Sequence, residues 1–139
     1  MALILNSDKL KKRDGTPLPE TGVFVKFIMQ SDFESFNQKF FLRFYTSHTS
    51  KVKGYSPIDI LFIKTEEIEE IEETTTEIPI PNSFVKELDI QQVGYYEMLV
   101  EQILPNASER TYFTYHLFVK EFLENITGEN SVVIRPDLS

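Results

Sequence analysis

Three runs of strand length, residues 22–30, 38–46 and 58–64, are apolar on both of the faces that a β-strand would present. Aromatic and aliphatic side chains occupy odd and even positions alike, and such residues favour strands. A strand with one solvated face would instead alternate with polar residues. We therefore expect both faces of these strands to be covered, by helices, by another sheet or by another chain.

The composition favours packing over chemistry. The 139 residues include 12 phenylalanines and 6 tyrosines, but no cysteine and only 2 histidines. Aromatic side chains build cores and interfaces, whereas histidine and cysteine carry much of nucleophilic and metal chemistry. The length predicts a single domain over residues 1–139, and the lack of cysteine excludes a disulfide framework.

One apolar stripe predicts a long helix over residues 108–127. Its members recur at spacings of three and four, and they are Tyr112, Tyr115, Val119, Phe122 and Ile126. Gly128 supplies the C-terminal stop. We expect the helix to pack across one face of the sheet.

Other segments of the C-terminal half complete the predicted fold. Residues 83–89 are predicted as a short helix, and residues 131–135 as a short strand. Residues 94–104 fit a helical stripe better than a strand, but both remain open. The predicted fold class is α+β: a mainly antiparallel β-sheet, with one or two C-terminal-half helices packed on it and a short C-terminal strand.

The acidic segment 65–81 is predicted to leave the domain body as an extended arm or long loop. Six of the eight residues 66–73 are glutamate, and two prolines follow at positions 79 and 81. We expect its isoleucines to contact a neighbouring chain. Together with two phenylalanines of the connection 31–37, the interface candidates are Ile68, Ile71, Ile78, Ile80, Phe33 and Phe36.

No motif for catalysis, cofactor binding or metal binding is present. His48 and His116 lack metal-ligand spacing, and the glutamate run lacks the Asp, Asn and Gly pattern of an EF-hand. Neither a Gly-rich phosphate loop nor a Gly-x-Ser-x-Gly elbow occurs. We predict no catalytic, cofactor-binding or metal residues, although two carboxylates brought together by the fold could still hydrolyse a substrate.

Charge and hydropathy limit the partners. The net charge of −8 argues against direct nucleic-acid contact. The basic cluster Lys9, Lys11, Lys12 and Arg13 precedes the turn signal Asp14-Gly15, which favours a solvated turn. No apolar run approaches the ~20 residues of a membrane span, so no membrane contact is predicted.

The chain resembles the small virion proteins of tailed bacteriophages, including neck and tail subunits. The resemblance is carried by the phenylalanine-rich strands 23–29 and 40–45, the low-complexity segment 65–81 and the helix plus strand of residues 108–135. It is one of general style and carries over no residue role. It implies a β-rich connector or ring-forming subunit without catalysis, located in the virion and assembled in the host cytoplasm.

Three hypotheses for function follow. The first is a structural subunit of a larger assembly, such as a head-tail connector or tail protein, whose partners are copies of itself and other structural proteins. The second is a small acidic regulatory or inhibitory binding protein, whose carboxylates would line one face like the phosphates of a nucleic acid. The third is a carboxylate-based hydrolase with a deep pocket and perturbed carboxylates.

Overall fold

A computed structural model of the chain describes residues 2–18, 22–31, 37–47, 51–54, 56–68, 72–87 and 107–135. These residues form eight strands and one long helix, all antiparallel where strands pair. In chain order the elements are β1 (Ala2–Leu5), β2 (Leu10–Lys12), β3 (Val23–Ser31), β4 (Asn37–Tyr45), β5 (Ile60–Ile68), β6 (Glu72–Pro79), β7 (Ser83–Glu87), α1 (Ala107–Thr127) and β8 (Val132–Arg135). The predicted α+β fold class is thereby confirmed.

The larger sheet has five strands in the order β7-β4-β3-β1-β8. Its centre is the long β3–β4 pair, whose register runs from Phe24 opposite Tyr45 to Ser31 opposite Gln38. The smaller sheet has the order β2-β5-β6, and an isolated bridge between Phe44 and Ile58 connects the segment just before β5 to the larger sheet.

The core lies on one side of the larger sheet, here called the inner face. Side chains directly opposite one another in antiparallel strands share a face. The register therefore places together a continuous apolar layer that includes Leu3, Leu5, Val25, Phe40, Leu42 and Phe44. Helix α1 adds Phe118, Val119 and Leu123, the smaller sheet adds Leu10, Ile60 and Phe62, and Ile80 follows directly after β6.

Helix α1 ends where the sequence predicts, at a glycine in the left-handed region. Gly128 has φ +105°, and its N–H donates to the Glu124 carbonyl at 2.8 Å. The Thr127 hydroxyl donates to the Leu123 carbonyl at 2.8 Å, and the Ser131 hydroxyl donates to the Gly128 carbonyl at 2.7 Å. These bonds satisfy buried polar groups and direct the chain into β8.

One prediction of local structure is wrong. Residues 83–87 form strand β7 instead of a helix, because pairing with β4 overrides the weak local capping signal. The segment 65–81 was predicted as an extended arm or long loop, and its described residues form the end of β5, all of β6 and the two residues that follow β6. The glutamates do not prevent strand formation, since exposed carboxylates on both faces stay hydrated. Residues 94–104 lie outside the described residues.

Candidate functional site

A β-hairpin of β5 and β6 carries a dense cluster of acidic residues, seven of the 22 in the chain. Residues 64–77 contain seven glutamates and one lysine, in a chain of net charge −8. Strand β2 flanks only the start of β5, since its register covers Ile60, Leu61 and Phe62. Beyond that point β6 is the strand that pairs with β5 in the described part of the chain, from Lys64 opposite Thr76 to Ile68 opposite Glu72. We call this hairpin portion, residues 64–77, the acidic ribbon.

The described side chains of the acidic ribbon are exposed. On β6, all six side chains from Glu72 to Glu77 are exposed. On β5, the side chains of residues 64–67 are exposed as well. Glu67 lies directly opposite Glu73, and like charges in that position destabilise a strand pair. The ribbon therefore gains little from the core of its own chain and repels itself.

Two lysines partly offset this repulsion. Lys64 forms an ion pair with Glu66 at 2.8 Å, and the hydrogen bond from Lys64 holds the pKa of Glu66 below its usual value. Lys11 of β2 forms an ion pair with Glu77 and so ties the base of the acidic ribbon to the smaller sheet. Such exposed pairs contribute little stability individually.

The side of the larger sheet opposite the core, here called the outer face, is partly apolar and exposed. Ile28 of β3 and Val85 of β7 are 49% and 60% exposed, and Phe41 of β4 lies directly opposite Ile28. At the other end of β3, by contrast, Phe24 is fully buried on this same face. The outer face is thus covered at one end and exposed at the other.

Cations surround the exposed apolar part of the outer face. The register places Lys39 and Arg43 on the same face of β4 as Phe41, and both side chains are exposed. Lys39 lies over the Phe41 ring, 5.0 Å from its centroid. Lys26 is directly opposite Arg43, and partial burial together with the charge of Lys51 lowers the pKa of Lys26.

An open groove of about 420 Å³ runs along the edge of this region. Its lining includes Ile28, Phe41, Arg43, Pro57, Ile58, Asp59 and Asn82. The Asn82 amide donates to the Asp59 carboxylate at 3.5 Å, and Arg13 lies 3.9 Å from the same carboxylate. With apolar walls and one carboxylate, the groove suits contact with another surface better than hydrolysis.

The histidine that the structure describes belongs to the core. His116 is 2% exposed, and its ring meets the Phe27 ring edge-on at a centroid distance of 4.6 Å. His48 lies outside the described residues. Within the described part of the chain, no group of three or more histidine, cysteine, aspartate or glutamate side chains could hold a metal ion.

The structure divides the predicted interface residues. Ile80 is 5% exposed and belongs to the core, so its prediction as an interface residue is wrong: the chain turns inward after β6. Ile78 is partly buried and packs against the same core. Ile68 ends β5 opposite Glu72. Ile71, Phe33 and Phe36 lie outside the described residues.

The interface predictions did not include Ile28, Phe41 and Val85, which are exposed or half-buried apolar residues of the outer face. For Ile28 and Phe41 the signal in the sequence is the apolar character of both faces of residues 22–30 and 38–46, whereas Val85 lies in the segment predicted as a helix. That pattern indicates that both faces of each strand pack against other residues, but it does not indicate which face packs on the chain's own core. Only the sheet register separates Phe40, on the inner face, from Phe41, on the outer face.

Comparisons with protein-family models, curated proteins and solved structures give no match to this chain. Among the helices in the described ranges, none has the length and apolar character needed to cross a membrane.

Proposed function

We propose that this protein is a non-enzymatic structural subunit of a larger assembly, a bacteriophage virion protein of the head-tail connector or tail. Its partners would be copies of itself and other structural proteins. Its location would be the virion, after assembly in the host cytoplasm. The virion assignment rests on the resemblance in sequence style, whereas the assembly role rests on the surfaces described above.

The acidic ribbon is the observation that carries the assembly role. An isolated two-stranded hairpin is only marginally stable in water, and this one carries directly opposed glutamates. Its exposed strand β6 adds little to the core of its own chain. An element of this kind gains stability when a partner of opposite charge pairs with it, which is the role of an assembly arm.

The outer face supports the same proposal. A sheet that exposes Ile28 and Val85 around a half-buried Phe41 presents apolar area that favours association. Among the described strands, β7 lies at an edge of the larger sheet, and sheet edges can pair with other chains. Both features are expected of a subunit whose surface is completed by neighbours.

The two alternatives receive less support. A nucleic-acid decoy needs carboxylates along one face, but the register of the acidic ribbon places Glu66 and Glu72 on one face and Glu67, Glu73 and Glu77 on the other. A carboxylate hydrolase needs paired acids in a pocket. The groove at the outer face has Asp59 as its one carboxylate.

Shortening the acidic ribbon tests the assembly role. Replacing residues 65–75 by Asn-Gly joins Lys64 to Thr76 through a tight turn and keeps the register of the remaining hairpin. We expect the free energy of unfolding to change by less than about 1 kcal/mol, because the removed side chains are exposed where described. Sedimentation velocity should show smaller species than those of the unaltered chain.

The control is Val52→Ser, which alters an exposed apolar side chain and leaves the acidic ribbon intact. It should sediment like the unaltered chain. Unfolding of the shortened chain would mean that the ribbon belongs to the domain's own core. If the shortened chain sediments like the unaltered chain and is incorporated into particles equally well, the acidic ribbon is not an assembly arm.

The virion assignment has its own test. Phage particles from the biological source of the chain are banded on a density gradient, washed at high salt and analysed by mass spectrometry. Peptides of this protein should remain with the particles at a constant ratio to the major tail or neck proteins. Peptides found only in the soluble fraction would contradict the assignment.

A further inference from the structure

We propose that the chain assembles head to tail, with the acidic ribbon of one copy lying on the outer face of the next copy along strand β4. This inference rests on the proposed assembly role and specifies the partner: a second copy of the same chain. The ribbon and the outer face are different surfaces, so the contact is heterologous, and repetition gives a ring or a filament.

Charge complementarity is the first argument. The acidic ribbon has seven glutamates against one lysine, whereas β4 presents Lys39 and Arg43 on the outer face. Neither cation forms an ion pair with another described residue. Lys26 lies beside Arg43 on the same face. The acidic residue that the register adds to this face is Glu87, at the end of β7.

The spacing of the charges is the second argument. Lys39, Phe41 and Arg43 alternate along one face of β4, with the two cations four residues apart. Glu73, Thr75 and Glu77 repeat the same spacing along one face of β6. In extended strands four residues span about 13 Å, so both carboxylates can meet both cations while Thr75 faces Phe41. Glu77 also binds Lys11, at the base of the ribbon.

The exposed apolar residues are the third argument. Ile28 and Val85 flank the row formed by Lys39, Phe41 and Arg43 on the neighbouring strands β3 and β7. Strands β3 and β7 lie on either side of β4, so they are about 10 Å apart, because neighbouring strands lie about 4.8 Å apart. A two-stranded ribbon with its side chains has a similar width. A ribbon along β4 therefore covers apolar area and pairs charge in one contact.

A charge-swap experiment tests the contact. The ribbon variant is Glu73→Lys with Glu77→Lys, and the face variant is Lys39→Glu with Arg43→Glu. Each variant alone places like charges against each other, so its self-association constant should fall by about tenfold or more. An equimolar mixture should recover the association of the unaltered chain, because each reversed surface then meets its complement.

Matched controls exclude an effect of net charge alone. Asp8→Lys with Glu129→Lys changes the charge as the ribbon variant does, and Lys9→Glu with Lys12→Glu changes it as the face variant does. Both controls should associate like the unaltered chain. Association is measured by sedimentation velocity over a range of protein concentrations at low salt, and it should weaken at high salt.

The outcomes separate this inference from the proposed function. Unchanged association of the single variants, or loss without recovery on mixing, overturns the ribbon-to-face contact while leaving the assembly role in place. An unaltered chain that stays monomeric at millimolar concentration also overturns it. Absence of the chain from particles contradicts the virion assignment without affecting a successful charge swap.

Discussion

Phe40→Ala should lower the free energy of unfolding much more than Phe41→Ala, although the two residues are adjacent on β4. Phe40 is fully buried on the inner face. Its ring stacks on Phe84 at 4.8 Å and lies 5.8 Å from Phe27 and 6.4 Å from Tyr115. This cluster links strands β3, β4 and β7 to helix α1.

The magnitude follows from burial and ring contacts. Truncation of a buried phenylalanine to alanine costs about 3–5 kcal/mol, and loss of the stacked pair with Phe84 places Phe40→Ala in the upper part of that range. Phe41 is only partly buried, under the Lys39 ammonium. Partial loss of its burial and of one exposed cation–π contact should cost about 1–2 kcal/mol.

Urea unfolding followed by circular dichroism measures both values, at a protein concentration low enough to avoid association. Because domains are stable by about 5–15 kcal/mol, Phe40→Ala should remove about a quarter or more of the total, with an unchanged denaturant slope. Equal costs for the two variants, or a larger cost for Phe41→Ala, would refute the assignment of these side chains to opposite faces.

Three further predictions concern single positions. Gly22→Ala should destabilise by at least about 1–2 kcal/mol in urea unfolding, because φ is +91° and the new Cβ would lie 2.9 Å from a β1 side chain; Gly15→Ala, with φ +89° and open space, should cost less. Hydrogen bonds from Thr16 hold the pKa of Asp14 below its usual value, so the stabilisation that they give is present at neutral pH and lost as the pH falls through that lowered pKa. Thr16→Val should therefore raise the pKa of Asp14 in a carbon-13 NMR titration, and an unchanged titration would contradict this. Glu73→Thr should stabilise the chain by about 0.2–1 kcal/mol in urea, because it removes a directly opposed glutamate pair; a loss of stability would show that the glutamates do not repel.

The confirmed predictions rest on local periodicity. Apolar alternation located the strands that the structure shows as β3, β4 and the first half of β5, and the spacing of three and four located α1. These signals are readable without the fold because the repeats of a strand and a helix are properties of consecutive residues. Gly128 likewise marks the helix end through its own backbone preference.

What the sequence alone determined is that strands with two apolar faces need two covers, and that a long acidic segment lies between two apolar parts of the chain. The tertiary structure decided that the segment is a hairpin, that residues 83–87 are a strand, and that Ile80 faces inward. It also assigned Phe40 to the core and Phe41 to the outer face. These outcomes depend on register between distant strands, where a shift of one residue moves every side chain to the opposite face.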